Sequence, residues 1–103
     1  MRNVYTGRTY ITQSIRQLRF DTMDQAKSAF QYLIDLEVEQ GHPVSVNQLY
    51  AFIGRALDER GDHFGWKALK WDILSNKYGA AYRYDHKTRE GYFVLRLPPV
   101  QEI

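Results

Sequence analysis

Between Asp21 and Gln40 the chain runs without glycine or proline and keeps its apolar side chains at helical spacing, which constrains the fold more than any other feature. Ala26, Ala29, Phe30, Leu33, Ile34 and Leu36 fall on one face of such a helix, and Asp24, Lys27, Ser28, Gln31 and Asp35 on the other. Asp21 or Thr22 is placed to cap its first amides, and Asp24 sits favourably against the positive end of the dipole. Gly41-His42-Pro43 ends it, since glycine accepts the left-handed conformation and proline cannot continue the ladder. A helix with one broad apolar face must bury that face against other elements.

Ser45-Val46-Asn47-Gln48 restarts the pattern with a capping-box signature. Val46, Leu49, Tyr50, Ile53, Ala56 and Leu57 form a second apolar stripe, which predicts a helix to about Arg60, closed by Gly61-Asp62 and followed by a His63-Phe64-Gly65 loop. Near the C-terminus, Ala81 to Tyr84 and Tyr92 to Leu97 flank the segment from Asp85 to Gly91, as in a β-hairpin with a longer loop. Pro98-Pro99 stops the last strand.

Two segments are harder to read. From Gln17 to Phe20, Leu18 and Phe20 alternate with Gln17 and Arg19 and predict a strand. Upstream, Ile11, Ile15 and Leu18 also fit helical spacing, but an extended arm or hairpin around Thr6-Gly7 is the preferred reading. From Trp66 to Tyr78 a helix would carry Trp66, Leu69 and Ile73 on one side and Trp71, Leu74 and Tyr78 on another. Such a helix is either buried on two sides or offers its second stripe to a partner, because large aromatics dominate interface cores. The plainer alternative is that both tryptophans fill the core of a small domain.

These elements amount to one α+β domain over residues 1 to 103, with residues 1 to 16 a candidate basic arm. Its order is an N-terminal strand or hairpin, two amphipathic helices, a third short helix and a C-terminal β-hairpin, which resembles that of a winged helix. In that resemblance the third helix enters the major groove and the hairpin grips the backbone, so Lys67, Lys70 and Lys77 would face DNA while Lys87 and Arg89 meet phosphate. The net charge of +2 is too small to argue for nucleic acid by itself. Its distribution is uneven: Arg2, Arg8, Arg16 and Arg19 occupy residues 1 to 20 with no acid, and five acids face Lys27 alone between residues 21 and 42. Trp71 and Leu74 also intrude on the face a reading helix keeps polar.

Three short motifs occur in fixed order: Val44-Ser45-Val46-Asn47-Gln48-Leu49-Tyr50 with Gly54, Gly65-Trp66 with Leu69, and Gly91-Tyr92 running to Leu97-Pro98. Together they resemble a family of small bacteriophage and prophage proteins, notably of actinobacterial phages, over about residues 17 to 103. The resemblance implies a mobile-element origin and transfers no catalytic or binding residue. Relative to the family pattern this chain inserts Lys70 to Gly79 and adds the basic arm. Small phage proteins of this type often act as stoichiometric inhibitors, anti-CRISPR proteins among them.

Catalysis finds little in the residues. His42, His63 and His86 fall in three separate loops, none at the spacing that sets two ligands on one metal. With no cysteine there is neither thiolate ligand nor thiol nucleophile, and the isolated glycines form no phosphate-cradling loop. No catalytic residue, metal or cofactor is expected. The sequence therefore points to a non-catalytic binder, foremost of a host or phage protein, through Trp66, Trp71, Leu74, Tyr78, Tyr82 and Tyr84. DNA binding through the five basic residues named above is the alternative, and a homodimer, through an unpaired sheet edge or the second stripe of the third helix, is compatible with either. Without an apolar run of membrane length or a secretory signal at Met1-Arg2-Asn3-Val4-Tyr5, no membrane partner and a cytoplasmic setting are expected.

Overall fold

The computed structural model describes residues 7–16, 18–41, 43–69 and 78–103, with side chains from Ile11 onward. In chain order the elements are α1 (Gly7–Arg16), α2 (Met23–Gln40), β1 (Val44–Ser45), α3 (Val46–Ile53), β2 (Phe64–Trp66), β3 (Gly79–Asp85), β4 (Glu90–Arg96) and β5 (Gln101–Glu102). Helices and antiparallel sheets thus combine in an α+β architecture, closed near the C-terminus by the β3–β4 hairpin.

The long amphipathic helix is α2. Thr22 caps it, accepting from the Gln25 amide at 3.1 Å while the Gln25 side chain accepts from the amides of Thr22 and Asp21. Gly41, at φ 65°, closes it by donating to the Glu37 carbonyl. Ala26, Ala29 and Leu33 are buried, with Phe30 and Leu36 packed on the core beside them. The expected capping box also opens α3, where Ser45 accepts from Gln48 N–H at 3.2 Å and Gln48 accepts from Ser45 N–H at 2.9 Å.

The N-terminal expectation is corrected: residues 7 to 16 form a helix, not an extended arm or hairpin. Ile11 and Ile15, one turn apart, are both buried, and Leu18 joins them in the core, so the helical spacing describes the burial. The alternation of Leu18 and Phe20 is real, but among the described residues 18–20 only Phe20 finds a pairing edge, as an isolated bridge to Phe93, and Gln17 lies outside the described residues. Two residues later Thr22 already starts α2, leaving no length for a strand.

A second correction concerns α3, which ends at Ile53 and not near Arg60. Gly54, at φ 78°, turns the chain into the left-handed region, and Arg55 N–H returns to the Tyr50 carbonyl at 2.8 Å. The apolar pattern through Ala56 and Leu57 therefore continues in sequence but not in the helix, and Leu57 is left 63% exposed. The chain beyond is anchored by Asn47, a buried polar residue of α3. Its side chain donates to the Asp58 carbonyl at 2.8 Å and to Asp62 at 3.0 Å, and accepts from the Asp58 amide at 2.9 Å.

Third, Phe64 and Gly65 are in strand β2, where a loop was expected, and Trp66 closes that strand rather than opening a helix. β2 is the centre of a three-stranded antiparallel sheet ordered β1-β2-β5, with Val44 opposite Trp66 and Gly65 opposite both Ser45 and Gln101. A side chain at Gly65 would overlap the Val44 carbonyl, so glycine permits the close approach of these strands. The rest of the helix expected up to Tyr78 lies outside the described residues for positions 70–77. Leu69 N–H is held by the Glu37 carboxylate at 2.7 Å.

One core joins these parts. Ile11, Ile15 and Leu18, Leu33 of α2, Val46, Leu49 and Tyr50 of α3, Trp66 and Leu69, and Leu95 and Val100 form a single buried cluster.

Candidate functional site

The hairpin leaves this core progressively. Its pairing is longer than expected, running from Gly79↔Arg96 to Asp85↔Glu90, with residues 86–89 as the turn. Asp85 organises the turn: its carboxylate accepts from Lys87 N–H at 2.9 Å and Thr88 N–H at 3.4 Å, and its carbonyl accepts from Arg89 N–H at 2.8 Å. Arg89 takes the left-handed conformation at φ 58°, which closes the turn.

Because paired residues share a face, Ala80, Tyr82 and Tyr84 lie with Leu95, Phe93 and Gly91. Leu95, nearest the core, is buried, whereas Tyr82 and Tyr84, toward the tip, are 54% and 46% exposed. Phe93 exchanges both backbone hydrogen bonds with Phe20 on the far side of β4, at 2.8 and 3.3 Å. Tyr82 and Phe93 therefore form a non-hydrogen-bonded pair, the kind whose side chains approach closely, and their rings meet edge to face at 5.5 Å. Tyr84 makes a similar contact with His86 at 5.0 Å.

The same register turns the backbone N–H and C=O of Ala80, Tyr82 and Tyr84 outward, away from β4. Among the described residues β3 pairs with β4 alone, and no second strand pairs with that edge. The Arg83 guanidinium leans over it and donates to the Tyr82 carbonyl at 3.2 Å, a charge of the sort that discourages indiscriminate strand pairing. Gly91 clears the space into which the Tyr82 ring leans, since a side chain there would overlap the Tyr82 hydroxyl.

The residues expected to form a partner surface are thus divided. Tyr82 and Tyr84 stand together on the hairpin, and Tyr78 is half-buried just before β3. Trp66 is withdrawn from any surface: it is 1% exposed and its indole N–H donates to the Pro98 carbonyl at 2.8 Å. The plainer alternative, a core tryptophan, holds for that residue. Trp71 and Leu74 lie outside the described residues. Of the basic set, Lys87 and Arg89 are exposed together in the hairpin turn and Lys67 is exposed just after β2, while Lys70 and Lys77 lie outside the described residues.

Sequence reading missed two features. Phe52, at 46% exposure, stacks on Tyr32 at 4.1 Å with ring planes 5° apart, on the rim of a depression of about 640 Å³ that Phe20, Asp24 and Arg55 also line. Phe52 is off the buried stripe of α3, and no local spacing announces a contact to α2. Secondly, Arg19 lies 4.0 Å from the centroid of the Tyr92 ring, on the hairpin face opposite Tyr82. The concentration of arginine before residue 20 is visible in the sequence, but not where it lands.

No family model, curated protein or solved structure matches this chain. Among the described residues no helix is long and apolar enough to cross a membrane, and no three His, Cys, Asp or Glu side chains are grouped to hold a metal ion.

Proposed function

We propose that the protein acts without catalysis, by binding another protein through the tyrosine face and open edge of the β3–β4 hairpin. The observation that carries this reading is the pairing of Tyr82 and Tyr84, half exposed and adjacent on one face, with a strand edge whose outward backbone groups have no strand partner among the described residues. Tyrosine offers large contact area and a hydroxyl for little loss of side-chain freedom, which is why it concentrates at interface hot spots. An open edge beside it adds backbone hydrogen bonds from an extended partner segment.

The phage resemblance in the sequence motifs supplies the kind of partner: a component of the bacterial host, held stoichiometrically and inhibited or modulated, with counter-defence of the anti-CRISPR type included. The host cytoplasm is the setting that role requires. Co-purification of the tagged protein with its partner tests it, comparing the natural chain with Tyr82→Ser/Tyr84→Ser after nuclease treatment. A stoichiometric partner held by the first and lost by the second supports the reading.

A further inference from the structure

On the hairpin face away from Tyr82 and Tyr84, a cleft of about 320 Å³ opens between the last turn of α1, strands β3 and β4, and the segment that follows β4. Three arginines from three different elements line it: Arg16 of α1, Arg83 of β3 and Arg96 of β4. All three are exposed, and among the described residues no carboxylate lines the cleft. Among the described residues none of these three guanidiniums is in an ion pair, and Arg83 donates one hydrogen bond, to the Tyr82 carbonyl. Asp85 and Glu90 share the hairpin face one register nearer the tip, where the turn amides of Lys87 and Thr88 already engage Asp85. Arg19 adds a fourth cation against the Tyr92 ring, which also lines the cleft.

Gathering like charges around a concave site produces a positive potential that an anion relieves. Guanidinium forks suit phosphate oxygens, which accept two parallel hydrogen bonds from one side chain. The remaining lining is not ionic: Tyr92, Val94, Leu97 and Pro99 offer ring and aliphatic surface beside the charges. A ligand for this cleft carries a phosphate and a flat apolar group next to it. The volume lies at the small end of ligand sites, which run from about 300 to 1,000 Å³, and suits one such unit.

We propose that this cleft binds a nucleotide unit, with its phosphate among Arg16, Arg83 and Arg96 and its base or sugar against Tyr92 and the apolar segment after β4. The proposal uses none of the basic residues of the hairpin turn and does not depend on the tyrosine face, which lies on the other side of the strands. A free nucleotide and a unit within a single strand present the same chemistry.

The test titrates the full chain with adenosine monophosphate, with a short fluorescent single-stranded oligonucleotide and with inorganic phosphate. It compares Arg83→Gln/Arg96→Gln with Lys87→Gln/Arg89→Gln, monitoring fold by circular dichroism. The expected result is binding of the monophosphate or the oligonucleotide that weakens at least about tenfold in the cleft variant, as for a lost charge-assisted contact, and changes less than about twofold in the turn variant. Full competition by the monophosphate assigns a free-nucleotide site, and binding of the strand alone assigns a strand site. Arg83→Lys/Arg96→Lys, which keeps charge but loses the fork, is expected to fall between the natural chain and the glutamine variant. Equal losses in the cleft and turn variants, inorganic phosphate binding as tightly as the nucleotide, or no binding by any of the three would overturn the proposal.

Discussion

Trp66 and Pro98 are 32 residues apart in sequence, yet the tryptophan indole N–H donates to the proline carbonyl at 2.8 Å inside the core. This bond ties the centre of the three-stranded sheet to the segment that leaves the hairpin, so it couples the sheet to the element proposed to carry function. Trp66→Phe keeps most of the apolar volume and strands the buried carbonyl. The expected cost is about 1 to 3 kcal/mol for the unsatisfied group. Thermal unfolding reads it directly, at roughly 4 to 8 °C per kcal/mol for a domain of this size.

Asn47→Ala removes the group that organises the chain after α3. Both backbone groups of Asp58 and the Asp62 carboxylate lose their partner. A loss of about 1 to 3 kcal/mol is expected in denaturant unfolding, with faster amide exchange at Asp58 and its neighbours.

Removing the capping hydroxyls, Thr22→Ala or Ser45→Ala, is expected to cost about 1 kcal/mol each. Both caps accept from an amide three residues on; because capping is local chemistry, the sequence places the first at Asp21 or Thr22 and the second at Ser45. The same holds for the end of α2 at Gly41 and for the existence of the hairpin. What could not be read depended on distant partners. Nothing near Phe64 indicates that β1 and β5 will flank it, and a strand of three residues has too little length to show a period. The fate of Ile11 and Ile15 was ambiguous because two spacings fitted the same residues, and burial decided between them. At the candidate site, Tyr82 and Tyr84 stand out in the sequence only as aromatics of the expected hairpin, and it is the register that sets them on one face. Trp66 was misplaced because its surface role assumed a helix where the backbone is extended.

Gly65 and Gly91 provide a contrast. Alanine at Gly65 meets the fixed Val44 carbonyl, so Gly65→Ala should disrupt the β1–β2 pairing and cost upwards of about 2 kcal/mol. Alanine at Gly91 meets only the far end of the Tyr82 side chain, which can swing aside. Gly91→Ala is expected to change stability by less than about 1 kcal/mol, within the ordinary range for surface sites. It should still weaken partner binding by displacing the Tyr82 ring. Melting curves and affinity measured on the same two variants separate these effects.

Tyr82→Ala and Tyr84→Ala are expected to leave the fold in place, since both rings project past the buried part of the hairpin. If they are interface anchors, each should cost at least about 2 kcal/mol of binding, roughly thirtyfold in affinity.

The most direct test of protein binding through the hairpin is a nuclease-treated affinity capture from bacterial lysate, run in parallel with the natural chain and with Tyr82→Ser/Tyr84→Ser at matched stability. The expected result is a protein recovered in stoichiometric amount by the natural chain and absent from the variant. Recovery of the same proteins by both chains, or of nucleic acid alone before nuclease treatment and nothing after it, would contradict the account.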